Sequence, residues 1–478
     1  MVGCAMNGAS CVTMSGYFKR AKYACAFAVT CLLALFALCA LPAQAHAEVL
    51  KADIVGGATV GERGLSVAEC PSIDAEFAVL MDSDGNVLFS RLGEDESQIA
   101  SLTKVMTAIV AIDNAPSDLH ISVSEAAALI GESSAGLQEG DVMDFDTALK
   151  ALLVPSGNDA ALAIAEAVGS SMIASNPSLG NDPVEVFVAA MNAKASELGC
   201  ANTVYENPHG LDDEEYAGEL HSTAHDQALV ARCAMSYQRI REIVSGGSTT
   251  IQVTREGAKE SIDLETTDLL LEMYDKAIGI KTGVTLLAGP SFMGAANNDG
   301  REFYSVVLGS SDEYQRFVDT QTLFEWGYEH ITNLKLANSD KYASMGRGAE
   351  AREVPVIVDV AHLDWPDKTV SATLADPDAS ITIFDLEGNV SQVVELNELH
   401  GNVRSGDKVG TITFKQHNEV IAQQDLVACQ DLAAPNPIEA LVIWWQGVTG
   451  GSTAIDAAER SEVYNVMPIL DDNVLSST

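Results

Sequence analysis

Two short apolar runs, Ala78-Val79-Leu80-Met81 and Val87-Leu88-Phe89, flank the turn-forming stretch Asp82-Ser83-Asp84-Gly85-Asn86. Runs of this length around Asp/Gly turn chemistry predict a β-hairpin. From Ser101 onward the apolar positions shift to helical spacing at Val105, Ile109 and Ile112. Ala-rich stretches at 147–153, 159–168 and 184–198, and a further one at 223–235, fit helices in the same way. After Lys276 the pattern returns to strands, at 278–283, 291–296 and 303–308. Asn297-Asn298-Asp299-Gly300 forms a hairpin turn between the last two. A helical pattern over 314–328 follows. The order strands, helices, strands, helix predicts an α+β domain, with one antiparallel sheet shared by both ends of the segment and a helical cluster inserted between. Past about Ala349 the pattern changes again. Short apolar runs at 354–360, 371–374, 381–384, 390–396, 409–414 and 420–427 are separated by Asp, Gly and Pro, the mark of a small all-β domain.

The N-terminus reads as an export signal. Lys19, Arg20 and Lys22 precede an apolar run from Ala24 to Leu41, and Ala43, Ala45 and Ala47 form two overlapping cleavage sites after Pro42. An uncleaved anchor is the competing reading. Cleavage after Ala45 or Ala47 is preferred, because the run is short against the roughly 20 residues that span a bilayer. The expected organisation is a signal peptide over 1–47, a Gly-rich linker over 48–72, a catalytic domain over 73–345, a β-domain over 346–432 and a tail over 433–478. Localisation would then be extracytoplasmic, in the cell envelope or secreted.

Charge removes some function classes. The 478 residues carry a net charge of -41, which repels nucleic acid and anionic lipid. Four cysteines remain after the leader: Cys70, Cys200, Cys233 and Cys429. Export permits disulfides, but the spacing selects no pairing, and free buried thiols serve equally well. His209, His221 and His225 lie near one another in sequence, yet no H-E-x-x-H is present, so neither a metal nor any other cofactor is expected. Ile438 to Val448 is apolar and holds Trp444-Trp445. Its acidic flanks favour docking on the β-domain over peripheral contact with a membrane, since an interfacial helix is usually basic on its polar face.

Three motifs carry candidate chemistry, in chain order: Ser101-Leu102-Thr103-Lys104, Ser156-Gly157-Asn158 and Lys281-Thr282-Gly283. Singly each is weak. A second S-x-x-K copy, Ser405-Gly406-Asp407-Lys408, reads as a turn in the β-domain. Order and context give the three their weight: a helix start, a loop between helices, a strand beside a turn. Ser and Lys at i and i+3 share one helix face. A serine hydroxyl becomes a nucleophile when a neighbour takes its proton, and Lys104 can do so only if burial or a nearby cation holds it neutral. Lys281 is the candidate cation. Ser156 can relay a proton, Asn158 can grip a peptide group, and Thr282 suits a substrate carboxylate. Gly283 leaves room for substrate backbone.

The chain resembles the D-alanyl-D-alanine carboxypeptidases, the low-molecular-mass penicillin-binding proteins of serine peptidase family S11. The resemblance extends from the motifs to Leu153-Val154-Pro155, Asn207-Pro208-His209-Gly210-Leu211-Asp212, Ser222-Thr223-Ala224-His225-Asp226, Val306-Val307-Leu308-Gly309 and Gly406-Asp407-Lys408-Val409-Gly410, across roughly Glu76 to Val427. It implies a serine β-lactamase/DD-peptidase-like domain, with a helical cluster on an antiparallel sheet. It implies Ser101 as nucleophile, Lys104 as base, and Ser156 with Lys281 in proton transfer. Asn158, Thr282 and Gly283 would bind substrate, and the backbone N–H groups of Ser101 and Val284 would form the oxyanion hole. The implied substrate is a peptidoglycan stem pentapeptide ending in D-Ala-D-Ala, trimmed through an acyl-enzyme, with β-lactams as inhibitors. Departures from the family pattern include Ile278, His225 and the acidic stretch Glu265-Thr266-Thr267-Asp268, where a basic residue is common. The alternatives are a secreted β-lactamase and a non-catalytic cell-wall-binding protein. A β-lactamase usually has Asp where Gly157 stands.

Overall fold

A computed structural model describes residues 50–212, 216–346, 351–449 and 460–467. The expected leader lies outside the described residues. Residues 50–54 and 58–70 form a small unit of their own. This part of the expected linker is built from local capping rather than apolar periodicity. Thr59 and Glu62 cap the helical turn Val60–Arg63 reciprocally, and Ser66 with Glu69 does the same for Val67–Glu69. Capping boxes of this kind fix single turns without a hydrophobic stripe, so a reading by periodicity assigns a linker.

The main sheet is antiparallel. Strands β1 (Phe77–Asp82) and β2 (Val87–Arg91) form the hairpin read from the sequence. The helical cluster follows: α1 (Thr103–Asn114), α2 (Phe145–Leu153), α3 (Asn158–Ser175), α4 (Pro183–Leu198), α5 (Ala224–Ser236) and α6 (Gln238–Ser245). A second hairpin, β3 (Thr249–Arg255) and β4 (Ala258–Leu264), comes next. Strands β5 (Ala277–Gly283), β6 (Ser291–Asn298) and β7 (Arg301–Leu308) then return to the main sheet, in which five strands run β2-β1-β7-β6-β5. Helix α7 (Gln315–Glu329) closes the domain. Helix α1 is buried from Thr103 to Ala111, as a helix apolar on all sides must be. That burial places the one charged side chain in its first turn, Lys104, inside the core.

Caps set the helix ends. Asp182 accepts from the N–H groups of Val184 and Glu185 to start α4, with Pro183 in the first turn, and Gly199 ends it at φ 85°. Cys70, Cys200, Cys233 and Cys429 are free thiols, three of them buried.

The β-domain follows: β8 (Ile331–Lys335), β9 (Val358–Ala361), β10 (Thr369–Leu374), β11 (Ser380–Phe384), β12 (Val390–Leu396), β13 (Lys408–Gln416) and β14 (Glu419–Ala428). The single run expected over 354–360 is divided. Arg352–Pro355 pairs with Tyr342–Met345, while β9 pairs with β10. Pro355 has no N–H to donate to a ladder, which ends the first strand there. Strands β8 and β11 pair. Beside them Trp326 of α7 packs on Phe384 with ring centroids 5.5 Å apart.

The tail departs from the sequence reading. Helix α8 (Pro437–Thr449) has no buried residue, and Trp444 and Trp445 are each 60% exposed. It does not dock on the β-domain. The chain then comes back: β15 (Glu462–Val463) pairs with the edge of β9. Asn465, 4% exposed, accepts from Asn338 N–H at 2.7 Å and donates to Leu336 O at 3.0 Å and Gln392 Oε1 at 2.8 Å. Trp365 ties both sides of the excursion. Its Nε1 donates to Ala433 O at 3.0 Å, and its carbonyl accepts from Arg460 at 3.0 Å. Trp365 thus contacts the chain before Pro437 and again at Arg460.

Candidate active site

The first motif sits at the mouth of α1. Ala100 takes φ 48°, and a tight turn over Ala100–Leu102 leads into the helix with Ser101 half-buried. One turn on, Lys104 Nζ lies 2.7 Å from Ser101 Oγ and 2.8 Å from His209 O. Lys104 has no exposed surface. Burial, then the charge of Lys281, holds its amine well below the ordinary lysine value, with Asp159 opposing. Both effects favour the neutral form of an amine that contacts a serine hydroxyl.

The second motif opens α3. Ser156 adopts φ 67°, a conformation uncommon for a non-glycine residue. A Cβ on Gly157 would lie 2.5 Å from Asp159 Oδ1 and 2.7 Å from Ala151 O, so no larger residue fits there without a shift of backbone. The Asp159 carboxylate accepts from Ser134 Oγ at 2.6 Å and from the N–H groups of Ala135 and Leu137 at 3.0 and 3.1 Å. It thereby clamps the 133–137 loop against the motif. Asn158 donates through Nδ2 to Gly131 O at 3.1 Å, and its buried Oδ1 has no hydrogen-bond partner. An unpartnered acceptor of this kind is costly unless a ligand meets it.

The third motif ends β5. Lys281 is buried and donates to Thr282 O at 2.9 Å. Burial, then the Arg316 guanidinium, pushes its amine down to about 7, with Asp268 opposing. Thr282 Oγ1 lies 2.6 Å from Thr267 Oγ1. The sequence reading gives Gly283 to the substrate. The structure shows a nearer reason for glycine, because a Cβ there would lie 2.9 Å from Ile99 O and 3.3 Å from Ser101 N. Strand end and nucleophile turn are in contact. Val284, just past it, is half exposed.

Ser101, Ser156, Thr282, Gly283 and Val284 line one cleft of about 440 Å³, together with Ser133, Thr267, Leu269, Glu313, Tyr314, Arg316 and Phe317. Lys104 touches it through Ser101, and Lys281 through Thr282. Asn158 is buried at the start of the helix that follows Ser156. All the residues singled out from sequence are thus brought to one place.

Several contributors were not singled out. Arg316 is 5% exposed, donates to Gly283 O at 3.2 Å and pairs with Glu313 at 3.3 Å. Its signal in the sequence was a cation in helical register with Thr320, Leu323 and Gly327, on what proves to be the buried face of α7. The His209 carbonyl holds Lys104 from 105 positions away. Its ring, neutral and pushed down to about 3 by burial and then by Lys104, packs edge-on against Tyr216. Nothing in local sequence marks that contact. His225 faces Glu94 at 3.2 Å, and among the described residues no three His, Cys, Asp or Glu side chains gather as metal ligands.

The family described as D-alanyl-D-alanine carboxypeptidase (Peptidase S11) matches residues 65–312, just over half of the chain. The D-alanyl-D-alanine carboxypeptidase DacF of Bacillus subtilis is 26% identical over 367 residues, covering 75% of this chain and 86% of the relative. The crystal structure of the Streptomyces K15 DD-transpeptidase superposes with a TM-score of 0.50 at 28% identity, covering 54% of this chain and 98% of that one. The crystal structure of the D-alanyl-D-alanine carboxypeptidase DacD from Francisella tularensis shares the fold over 76% of this chain and 96% of its own, with a TM-score of 0.52 at 23% identity.

Proposed function

The chain belongs to the D-alanyl-D-alanine carboxypeptidase family of serine peptidases, and we propose that it removes the terminal D-alanine from peptidoglycan stem pentapeptides through an acyl-enzyme on Ser101. One observation carries the assignment of the nucleophile: the buried Lys104 amine lies 2.7 Å from Ser101 Oγ, in surroundings that lower its proton affinity.

The chemistry then runs as follows. Neutral Lys104 takes the Ser101 proton as Oγ attacks the carbonyl between the two D-alanines. The developing oxyanion accepts from the backbone N–H groups of Ser101 and Val284, an arrangement that typically lowers a barrier by about 3 kcal/mol per donor. The substrate's terminal carboxylate meets Thr282 and the Arg316 guanidinium, a planar fork suited to a carboxylate. Asn158 binds the substrate peptide group. The proton taken up by Lys104 passes through Ser156, beside Lys281, to the leaving amine of D-alanine, which restores the neutral Lys104 amine. Water then cleaves the ester on Ser101, with Lys104 again as base. A β-lactam follows the same first step and stays attached. The β-lactamase alternative fits poorly, because the tight packing around Gly157 leaves no room for the Asp usual there.

The test is direct. Wild-type protein should release D-alanine from a diacetyl-Lys-D-Ala-D-Ala tripeptide, and penicillin should add its mass to the peptide holding Ser101. Labelling without release would leave a binding protein. Rapid turnover of nitrocefin would favour the β-lactamase.

Export through the 1–47 leader suits this substrate, which lies outside the cytoplasm. Among the described residues no helix is long and apolar enough to cross a membrane. For α8 we propose peripheral contact with lipid. Trp444, Trp445, Leu441 and Val448 lie along one side of the helical wheel and all are exposed. Glu439 is the only charged residue of this helix, so binding should come from apolar area, and salt, which screens the repulsion between the acidic chain and anionic lipid, should not weaken it. The full chain is expected to float with phosphatidylethanolamine/phosphatidylglycerol vesicles, and W444S/W445S to lose most of that binding. Wild type that stays with the unbound fraction would remove the proposal.

A further inference from the structure

Behind the third motif lies a carboxylate that the reaction as written does not use. Asp268 is 5% exposed. Its Oδ1 accepts from Leu270 N–H at 2.9 Å, and its buried Oδ2 has no hydrogen-bond partner. A buried carboxylate oxygen left this way is costly unless charge nearby compensates it. The charges acting on it come from two elements, Lys281 of β5 and Arg316 of α7. Its neighbour Thr267 touches Thr282, so the segment holding Asp268 lies directly against the third motif. Beyond these, Glu313 faces Arg316 from the cleft side.

The Arg316 guanidinium disfavours the charge on Lys281, and Lys281 in turn disfavours a charge on Lys104 of α1. Without a buried anion, Lys281 would give up its proton most readily. Resting on the active-site reading above, we propose that Asp268 is a positioning residue for the reaction: its carboxylate, acting through Lys281 and Arg316, keeps the lysine charged where the substrate's terminal carboxylate is bound. Burial pushes the Asp268 carboxyl up to about 6, while Lys281 sits at about 7. On going to higher pH the lysine loses its proton while the carboxylate stays charged.

Asp268→Asn keeps the shape and removes the charge. The pH profile of kcat/KM for D-alanine release from the diacetyl tripeptide should have its alkaline limb moved to lower pH by about one unit, the usual effect of losing an opposite charge nearby. At pH 8 the variant should be about tenfold slower than wild type, and near pH 5 almost equal to it. Asp268→Glu, which retains the charge, should keep the wild-type limb. If the asparagine variant fails to fold, Asp268→Ser serves in its place. A variant that melts like wild type and is slower by one factor at every pH has lost a packing residue only, and that overturns the proposal. Wild type that releases no D-alanine at any pH would instead overturn the underlying reading of the site.

Discussion

Lys104→Met is expected to lower kcat/KM for D-alanine release by about 10³-fold or more, with penicillin labelling of Ser101 slowed to match. The amine contacts Ser101 Oγ at 2.7 Å and is buried, and among the described residues no other side chain hydrogen-bonds to that oxygen. Methionine has nearly the same length and no basic group. Ser101→Ala should be equally inactive, and the double variant no worse than either single one, because the two residues act as a unit. Stability should move the other way. The folded-state proton affinity of Lys104 lies well below the unfolded value of 10.5. Between those two values the unfolded chain holds a proton that the folded chain does not, so wild-type stability rises with pH across that window. Below the folded value the burial cost is present in full. Lys104→Met removes that cost, so its melting temperature should equal or exceed that of wild type, by most at low pH. Melts over a pH series read this directly. A variant that melts well below wild type at every pH would show that the lysine is structural rather than chemical.

Gly210→Ala should damage the site by a purely steric route. Gly210 has φ 89°, and a Cβ there would lie 1.9 Å from Ala100 O, 2.5 Å from Ala100 C and 2.8 Å from Thr103 Oγ1. The loop cannot back away freely. Pro208 O accepts from Thr107 at 2.6 Å, His209 O from Lys104 at 2.8 Å, and Asn207 Oδ1 accepts from Gly210 N–H at 2.6 Å. Backbone strain and overpacking together predict a loss of roughly 2–6 kcal/mol. The turn that aims Ser101 must also shift, so acylation by a fluorescent penicillin should fall by about 10²-fold even in the folded fraction. Gly199→Ala is the control. Its φ is 85°, but nothing lies within 4 Å of the added Cβ, so only the backbone term remains, about 1 kcal/mol, with acylation unchanged. Equal effects from the two substitutions would show that close approach at Gly210 is not what matters.

The parts of the fold legible in the sequence are those where one face is buried along a regular element. The hairpin at Phe77–Arg91, the strands of Ala277–Leu308 and helices α1 to α5 each carried their period openly. Helix α6 and the β3/β4 hairpin did not. Gln238–Ser245 is short and opens on polar residues, while Ala258–Leu264 is exposed over most of its length. The expected linker has its turns fixed by capping bonds, and the expected docking of α8 assumed that apolar means buried.

At the site, sequence determined the reactive groups and their local arrangement: Ser101 and Lys104 one helical turn apart, Ser156 ahead of Asn158, and Lys281 to Gly283 on a strand. Those spacings are short-range, and the geometry of one helix or one strand enforces them. Tertiary structure decided the rest. The His209 carbonyl meets Lys104, and the Arg316 guanidinium meets the Gly283 carbonyl, from distant parts of the chain. The proton affinities of the two lysines depend on burial and on charges from other elements. A one-dimensional pattern names the ionisable groups, whereas desolvation and Coulomb interaction depend on distances in three dimensions, and these exist only once the chain has folded.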